Sequence, residues 1–345
     1  MATASRMFAV RLHGHGGLEQ LVFEEVPVPQ PGPDDVVIRV GASSVNNTDI
    51  NTRIGWYSKS EADQLTSWSG TGMTFPRIQG ADCCGRIVAV GARVDPGRIG
   101  QRVLVRTMQE PEVINGATRQ VTLGSEIDGA FAQFVTVRSS EAFTIESPLT
   151  DVELATFPCA YSTAEGLLQR ANVAGDDVLI TGASGGVGSA LVQLAAMRGA
   201  RISAVASSRH HDALRHLGAT TVVTRGTDVC RELGESTMDV VIDVVGGPEF
   251  PSLLRALKPG GRYATSGAVG GAIVDLDLRD LYLKDLTLFG CTFHSRSVFE
   301  DLIGYIEAGK LKPLLADIYP LKDLALAQER FGAKDFVGKI GITIP

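Results

Sequence analysis

The segment from Asp177 to Ala195 constrains the fold of this 345-residue chain more than any other part of its sequence. It runs from a short apolar strand through a glycine-rich turn into an apolar helix. In this order of elements, the N–H groups at the start of the helix can bind a dinucleotide pyrophosphate, and Gly188 lets the helix pack closely on the strand. The segment therefore predicts a dinucleotide-binding domain, although Ala183 stands where the first fingerprint glycine is usual. The residues predicted to form the phosphate turn are Ser184, Gly185, Gly186 and Val187.

The end of the second predicted strand indicates which dinucleotide is bound. Proteins that bind NAD usually carry an acidic residue about 20 residues after the glycine turn, where it binds the ribose 2′-hydroxyl. Here Ser207, Ser208 and Arg209 occupy that place, so no carboxylate repels a 2′-phosphate. The serines can donate hydrogen bonds, and Arg209 can add positive charge or stack on the adenine. We therefore predict NADP rather than NAD, with a solvated helix start as the alternative interpretation of Arg209.

The rest of the chain divides into two kinds of pattern. Between Thr150 and Ser297, apolar strands alternate with amphipathic helices, which is typical of a parallel sheet covered on both faces. Before Thr150 the strands are short and interrupted by prolines, which predicts a twisted or barrel-like β unit. A helix is expected at 298–308, followed by strands that rejoin this β unit. Two polar segments, 58–75 and 107–128, are predicted as long loops that either act as lids or decorate the surface.

The composition excludes several functional classes. The chain has 32 Lys and Arg residues against 39 Asp and Glu residues, and it contains no basic block, so we expect no nucleic-acid partner. Its apolar runs are far shorter than the ~20 residues of a membrane span, and its first residues are too polar for a signal peptide. We therefore expect a cytoplasmic protein outside the membrane. The five cysteines are expected to be reduced thiols.

Five short segments carry a family resemblance. They are Gly80-Ala-Asp-Cys-Cys-Gly-Arg-Ile-Val-Ala-Val-Gly, Gly129-Ala-Phe-Ala-Gln-Phe, Thr181-Gly-Ala-Ser-Gly-Gly-Val-Gly, Asp243-Val-Val-Gly-Gly and Val337-Gly-Lys-Ile. With them, nearly the full length of the chain resembles the medium-chain dehydrogenase/reductase (MDR) superfamily. The resemblance implies an α/β fold, with a Rossmann doubly wound parallel sheet plus a discontinuous GroES-like β-barrel catalytic domain. The implied boundaries are 1–152 and 296–345 for the catalytic domain and 153–295 for the NADP-binding domain, with the active site in the cleft between them.

The zinc ligands of this superfamily are the next point of comparison. Its zinc alcohol dehydrogenases bind the catalytic metal through Cys, His and Cys, and the matching positions here are Asn46, Ala81 and Cys159. Only Cys159 could bind zinc, whereas a catalytic site needs about three protein ligands. The segment 107–128, where a structural-zinc loop would fall, contains no cysteine. We therefore expect no metal, and Cys159 is interpreted as a small buried hydrophobe rather than a nucleophile.

The chain resembles instead the zinc-free branch, the quinone oxidoreductases and enone or enoyl reductases, which transfer hydride from NADPH to a conjugated acceptor. Residues 45–57 are similar to the Asn-x-x-Asp and Gly-x-Tyr motifs of that branch. The resemblance implies that Asn46 lines the nicotinamide pocket and that Tyr57 faces the substrate. Asp49 and Arg53 are implied to brace this loop. Hydride addition to an enone leaves an enolate, for which Tyr57 could supply a hydrogen bond or a proton. A structural role for Tyr57, capping the loop, is the alternative.

The same resemblance implies further contacts to the cofactor. Thr163 is expected near the nicotinamide and phosphates, and Arg225 near the adenosine phosphate. The resemblance also allows Lys339 to approach the cofactor cleft, but an ordinary strand-end role is the better interpretation of this residue. The strand at 286–289 is expected at the sheet edge, where relatives pair into homodimers. The remaining residues expected to contact the cofactor are Val245, Gly246, Gly267, Ala268, Val269, Cys291, Thr292 and Phe293.

These observations predict an NADPH-dependent, zinc-independent oxidoreductase that transfers hydride to a small-molecule quinone or α,β-unsaturated carbonyl compound. An enoyl-thioester reductase and a zinc-free alcohol dehydrogenase are the alternatives among enzymes. A non-catalytic NADPH-binding redox sensor or structural protein is a third possibility, and the presence of both Asn46 and Tyr57 argues against it.

Overall fold

The computed structural model describes residues 5–58, 73–114 and 117–345, and these form two compact units. The first unit consists of the residues up to Cys159 together with Phe299–Asp335 and Lys339–Pro345. The second consists of Ala160–Val298 and Phe336–Gly338. The first unit is therefore assembled from stretches that are far apart in the sequence.

The N-terminal part of the first unit is built around one long strand, β3. It is buried along most of its length because it pairs antiparallel with both β5 and β9. The strands of this part are β1 (Arg6–Leu12), β2 (Leu21–Pro27), β3 (Asp35–Ser44), β4 (Arg77–Ile78), β5 (Cys84–Val90), β6 (Arg102–Val105), β7 (Met108–Ile114), β8 (Ala117–Thr122), β9 (Phe134–Arg138) and β10 (Ala142–Thr144). The helices are α1 (Asn47–Arg53) and α2 (Asp151–Leu154).

The prediction of a long loop at 107–128 is wrong. Strands β7 and β8 form an antiparallel hairpin there, with Met108 opposite Thr122. The polar composition hid the strands because most of their side chains are polar, while Met108 and Val121 are buried. Most of the other predicted loop, 58–75, lies outside the described residues.

The second unit is a six-stranded parallel sheet with helices between its strands, as the alternating pattern predicts. The strand order is β13-β12-β11-β14-β15-β16, so the chain runs outward from β11 in one direction and then from β14 in the other. The elements are α3 (Pro158–Arg170), β11 (Asp177–Ile180), α4 (Gly186–Met197), β12 (Arg201–Ala206), α5 (His211–Leu217), β13 (Thr221–Thr224), α6 (Val229–Leu233), β14 (Met238–Asp243), α7 (Phe250–Ala256), β15 (Leu257–Thr265), α8 (Leu278–Tyr282) and β16 (Thr287–Gly290).

The C-terminal part of the chain returns to the first unit. It contains α9 (Arg296–Glu307), β17 (Leu315–Pro320), α10 (Leu324–Gly332) and β18 (Lys339–Thr343). Strand β18 pairs antiparallel with β3 and parallel with β17, which confirms that the last strands rejoin the N-terminal β unit. Among the described residues, no helix is both long enough and apolar enough to cross a membrane.

Candidate functional site

The glycine turn between β11 and α4 has the close packing that the sequence predicts. A Cβ atom on Gly188 would lie 2.1 Å from the carbonyl oxygen of Gly182, so only glycine allows α4 to approach the turn this closely. Gly182 itself has a left-handed backbone, with φ of +58°, and a Cβ there would lie 2.9 Å from Val245 Cγ2. The left-handed backbone conformation that the turn requires is therefore adopted by Gly182, one residue before Ala183. The turn and the start of α4 contain the predicted residues Ser184, Gly185, Gly186 and Val187.

Most of the other residues predicted to contact the cofactor lie at the carboxyl ends of the parallel strands. Backbone hydrogen bonds join neighbouring ends: Arg225 N–H donates to Ala206 O (2.8 Å), and Gly270 N–H donates to Val245 O (2.7 Å). In open parallel sheets, ligands bind at this edge, where the strand order reverses. Thr163 lies on α3 instead. The residues at the strand ends are Ser207, Ser208 and Arg209 after β12, Arg225 after β13, Val245 and Gly246 after β14, Gly267, Ala268 and Val269 after β15, and Cys291, Thr292 and Phe293 after β16.

The end of β12 presents polar and positively charged side chains. Ser208, Arg209 and Arg225 are exposed, and Arg209 Nε donates a hydrogen bond to Ser207 Oγ (3.3 Å). Both guanidinium groups belong to loops that the backbone bond from Arg225 to Ala206 places side by side. An anionic group at this end of the sheet would meet positive charge and hydroxyl donors.

A buried carboxylate that the sequence analysis did not single out orders the end of β14. Asp243 accepts hydrogen bonds from the N–H groups of Val245 (2.9 Å) and Gly246 (3.1 Å) and from the hydroxyl of Tyr263 (2.6 Å). The Thr181 hydroxyl also donates to it. Asp243 thereby fixes the turn that carries two predicted cofactor contacts. An aspartate that ends an apolar strand before a Gly-Gly pair was the signal for it in the sequence.

In the first unit, both the amide nitrogen and the amide oxygen of the Asn46 side chain make hydrogen bonds. Asn46 immediately precedes α1 and is buried. Its Nδ2 donates to Asp82 Oδ2 (2.7 Å) and to the carbonyl oxygen of Ser44 (3.3 Å). Its Oδ1 accepts from the ammonium group of Lys339. Both N–H bonds of the amide are used within the unit, so its free hydrogen-bonding capacity is that of an acceptor.

Two buried residues of α1 tie the helix to its surroundings. Asp49 accepts hydrogen bonds from the N–H groups of Asn46 (2.8 Å) and Gly80 (3.3 Å). Burial raises the pKa of the Asp49 carboxyl to about 7. Arg53 donates to the carbonyl oxygen of Gly16 (2.8 Å) and to Gln328 Oε1 (2.9 Å). These bonds hold the helix that follows Asn46 in one position.

Tyr57 lies just beyond α1 and is half-buried. Its hydroxyl donates to Thr48 Oγ1 (3.3 Å), and its ring meets the ring of Trp56 edge-on at a centroid distance of 5.4 Å. Burial raises the pKa of the Tyr57 phenol above its usual value. The phenol is therefore protonated at neutral pH and can donate its hydrogen.

The centre of this site is a buried ion pair between Lys339 and Asp82. Lys339 is 2% exposed and Asp82 is 0% exposed, and Lys339 Nζ lies 3.0 Å from Asp82 Oδ2. The other carboxylate oxygen accepts a hydrogen bond from the backbone N–H of Cys159 (2.7 Å), and the Ser44 hydroxyl also donates to Asp82. The structure thus corrects the interpretation of Lys339 as an ordinary strand-end residue. Sequence reasoning missed Asp82, which had no signal beyond its place beside Cys83 and Cys84.

Comparison with known proteins identifies the family. Residues 32–147 match the model of the alcohol dehydrogenase GroES-like domain, and residues 186–308 match that of the zinc-binding dehydrogenases. A solved structure from Sinorhizobium meliloti 1021, provisionally described as an alcohol dehydrogenase, is 45% identical, with a TM-score of 0.93 over 100% of this chain and 98% of that one. The chain belongs to the MDR superfamily. It is an oxidoreductase with a GroES-like domain and a Rossmann-type parallel sheet.

Three further relatives of this MDR protein have named activities. The acryloyl-coenzyme A reductase of Sulfurisphaera tokodaii is 29% identical over 92% of this chain and 95% of its own length. The quinone oxidoreductase of Rattus norvegicus is 27% identical, with 95% of each chain covered. The solved structure of a 2-octenoyl-CoA carboxylase reductase, in complex with NADP and 2-octenoyl-CoA, is 25% identical with a TM-score of 0.83 over 99% of this chain and 88% of that one.

The donor set at Asn46, Ala81 and Cys159 does not fit the catalytic zinc that one family model implies. Ala81 offers no ligand atom, and the Asn46 amide is bonded to Lys339 and Asp82. Burial, reinforced by the charge of Asp82, raises the pKa of the Cys159 thiol, which disfavours the thiolate that binds zinc. An ammonium group already neutralises the nearby carboxylate. Among the described residues, no three His, Cys, Asp or Glu side chains form a group that could hold a metal ion.

Proposed function

We propose that this MDR protein is an NADPH-dependent, zinc-independent reductase of conjugated acceptors, either α,β-unsaturated carbonyl compounds or quinones. The observation that carries the proposal is the Lys339–Asp82–Asn46 cluster. Of the three positions that match metal ligands in the zinc alcohol dehydrogenases, Asn46 belongs to this cluster and Cys159 donates its backbone N–H to Asp82. The cluster offers no Lewis acid that could lower the pKa of an alcohol. Reduction of a conjugated acceptor needs no such metal.

The choice of NADP rests on the end of β12. The exposed guanidinium groups of Arg209 and Arg225 and the hydroxyl groups of Ser207 and Ser208 suit a 2′-phosphate. Residues 207–211 include no carboxylate that would grip a 2′-hydroxyl or repel a phosphate. The complex of a related carboxylase reductase with NADP supports this choice.

The residues of the first unit can handle the charge and the proton that reduction requires. NADPH, when bound, supplies the hydride, which adds to the β-carbon of the acceptor. The electron pair of the carbon–carbon double bond then forms a double bond between the α-carbon and the carbonyl carbon, and the π pair of the carbonyl moves to its oxygen, giving an enolate. Tyr57 is half-buried and protonated, so we assign it the hydrogen bond to this oxygen or the proton for the α-carbon. Asn46 is assigned to the nicotinamide pocket, held there by Lys339 and Asp82.

An enoyl thioester is the second candidate acceptor. It is favoured by the acryloyl-coenzyme A reductase and octenoyl-CoA relatives, which act on or bind thioesters of this class. A quinone places smaller demands on the protein because its reduction aromatises the ring. The quinone oxidoreductase relative supports that alternative. Zinc-free alcohol oxidation is the remaining alternative.

We also propose that the protein is a cytoplasmic homodimer that pairs through β16. This strand is at the end of the six-stranded sheet, and the segment around it exposes apolar side chains. Ile273 is 93% exposed, and Leu278, Tyr282 and Leu283 are also exposed. A second copy of the chain would bury this surface and satisfy the free strand edge. Light scattering should give twice the chain mass, and Leu288→Lys, on β16, should give the chain mass. A monomeric wild type would contradict the pairing.

The activity is tested by following NADPH absorbance with a panel of quinones, alkyl enones and enoyl thioesters. We expect turnover with at least one class and much slower turnover with NADH. Tight NADPH binding without turnover of any acceptor would overturn the proposed function. NADH binding as tight as NADPH binding would overturn the cofactor assignment.

A further inference from the structure

The burial of Lys339 indicates a function beyond forming the first residue of β18. Transferring an ammonium group out of water is costly unless the charge is paired and hydrogen-bonded. Within the part of the chain that the structure describes, Lys339 meets both conditions through Asp82 and Asn46, which are 257 and 293 residues away in the sequence. An exposed lysine or an apolar residue would serve the start of β18 equally well. The charge itself is therefore the property to explain.

The ion pair determines the orientation of the Asn46 amide. The ammonium group donates to Oδ1, and the carboxylate of Asp82 accepts from Nδ2. Rotating the amide by half a turn would place N–H groups against the ammonium and an oxygen against the carboxylate. Both contacts would be repulsive in a buried site. Lys339 and Asp82 together therefore select one of the two amide orientations.

Asp82 joins Asn46 and Cys159, two of the three positions that match metal ligands in zinc-dependent relatives. One oxygen of Asp82 accepts from the backbone N–H of Cys159, and the other is shared by Asn46 and Lys339. We propose that Lys339 is a positioning residue for the reductase reaction: its ammonium group is the fixed cation of this cluster and sets the orientation of Asn46. The proposal rests on the proposed function. It adds that the Lys339 ammonium supplies the fixed positive charge that a metal ion supplies in zinc-dependent relatives.

The test is a comparison of Lys339→Met with the wild-type protein. Methionine keeps most of the apolar stem and removes the charge. We expect the kcat for NADPH-dependent reduction of the best acceptor to fall by about 100-fold, the usual scale for losing one preorganised electrostatic group. The Kd for NADPH, measured by fluorescence titration, should change less than about threefold, because the Lys339 ammonium bonds to Asp82 and Asn46 rather than to the predicted phosphate turn. Lys322→Met, at an exposed lysine, is the matched control and should retain the wild-type kcat.

A double variant separates positioning from simple neutralisation of Asp82. Lys339→Met leaves a buried carboxylate without its cation, so its Tm should fall, whereas Asp82→Asn combined with Lys339→Met removes both charges and should recover much of the Tm. We expect its kcat to stay low, because the amide orientation is no longer selected. If the single variant does not fold, the kcat of the double variant is the quantity that tests the inference.

Two results would overturn the inference. One is a Lys339→Met variant whose kcat is within about threefold of wild type. The other is a double variant that recovers the wild-type kcat, which would reduce Lys339 to a counter-ion. Turnover by the wild type tests the proposed function. The ratio of the kcat of the variant to that of the wild type tests the role of Lys339. A failure of the proposed function can therefore be told apart from a failure of the inference about Lys339.

Discussion

The buried carboxyl of Asp49 gives the protein a pH-dependent stability that can be measured directly. Asp49 is 2% exposed, and burial raises its pKa from 3.8 to about 7. In the unfolded chain this carboxyl ionises near its ordinary pKa, so between these values the folded state holds more protons than the unfolded state. Stability from this group is therefore fully present at acid pH, falls as pH rises through the window from 3.8 to about 7, and is lost above it.

Asp49→Asn removes this titration and keeps the shape of the side chain. The asparagine oxygen can still accept from the Asn46 N–H, while the longer bond from Gly80 is lost at every pH. At about 1.36 kcal/mol per unit of pKa shift, the wild type should lose about 2–3 kcal/mol more stability than the variant between about pH 5 and pH 8. The unfolding free energy of the variant, relative to that of the wild type, therefore increases as the pH rises.

The assay is urea denaturation followed by circular dichroism at a series of pH values. The quantity compared is the difference in unfolding free energy between variant and wild type, in which the titrations of all other groups largely cancel. Asp275→Asn, at an exposed carboxyl, serves as the matched control for the same substitution. A difference between Asp49→Asn and wild type that is constant from pH 5 to pH 8 would refute the reasoning, because it would mean that Asp49 titrates alike in both states.

Three further predictions concern the proposed reaction. Tyr57→Phe should lower the kcat for an enoyl thioester by about 100-fold and leave quinone reduction within about threefold, both read from NADPH absorbance; equal losses would remove the proton role. Ser207→Asp should raise the KM for NADPH by about tenfold or more and leave the KM for NADH nearly unchanged, because a carboxylate repels the 2′-phosphate. Protein purified without chelators should contain far less than one zinc per chain by elemental analysis, and EDTA should not slow it; stoichiometric zinc would contradict the metal-free assignment.

The sequence predicts those parts of the molecule whose structure is determined by residues close together in the chain. Strand, glycine turn and helix follow one another within residues 177–195, and the close packing at Gly188 depends on Gly182, only six residues away. The alternation of later strands with helices likewise predicts the parallel sheet. In each case the physical requirement and the residues that meet it lie in one short stretch.

The polar cluster of the first unit had no such local signal. Asn46, Asp82 and Lys339 are brought together because both β5 and β18 pair with β3. No single segment contains more than one of them, and a lysine at the start of a strand is more often solvated than buried. The hairpin β7–β8 was missed for a different reason. Its strands pair with each other, and 7 of their 13 residues are polar, so they carry no apolar run that would mark a strand.

The pairing of β18 with β3 also dictates the order in which the chain can fold during synthesis. The end of β3, Ala42–Ser44, must wait for residues made about 300 positions later before it pairs with β18, whereas β5 and β9 pair with the rest of the strand earlier. The sheet of the second unit needs only residues 177–290, which emerge earlier as one continuous stretch. A nascent chain that stops before Lys339 therefore leaves the end of β3 unpaired by β18 and open to other nascent chains. Chaperone dependence of this protein should accordingly be concentrated in the interval before β18 leaves the ribosome.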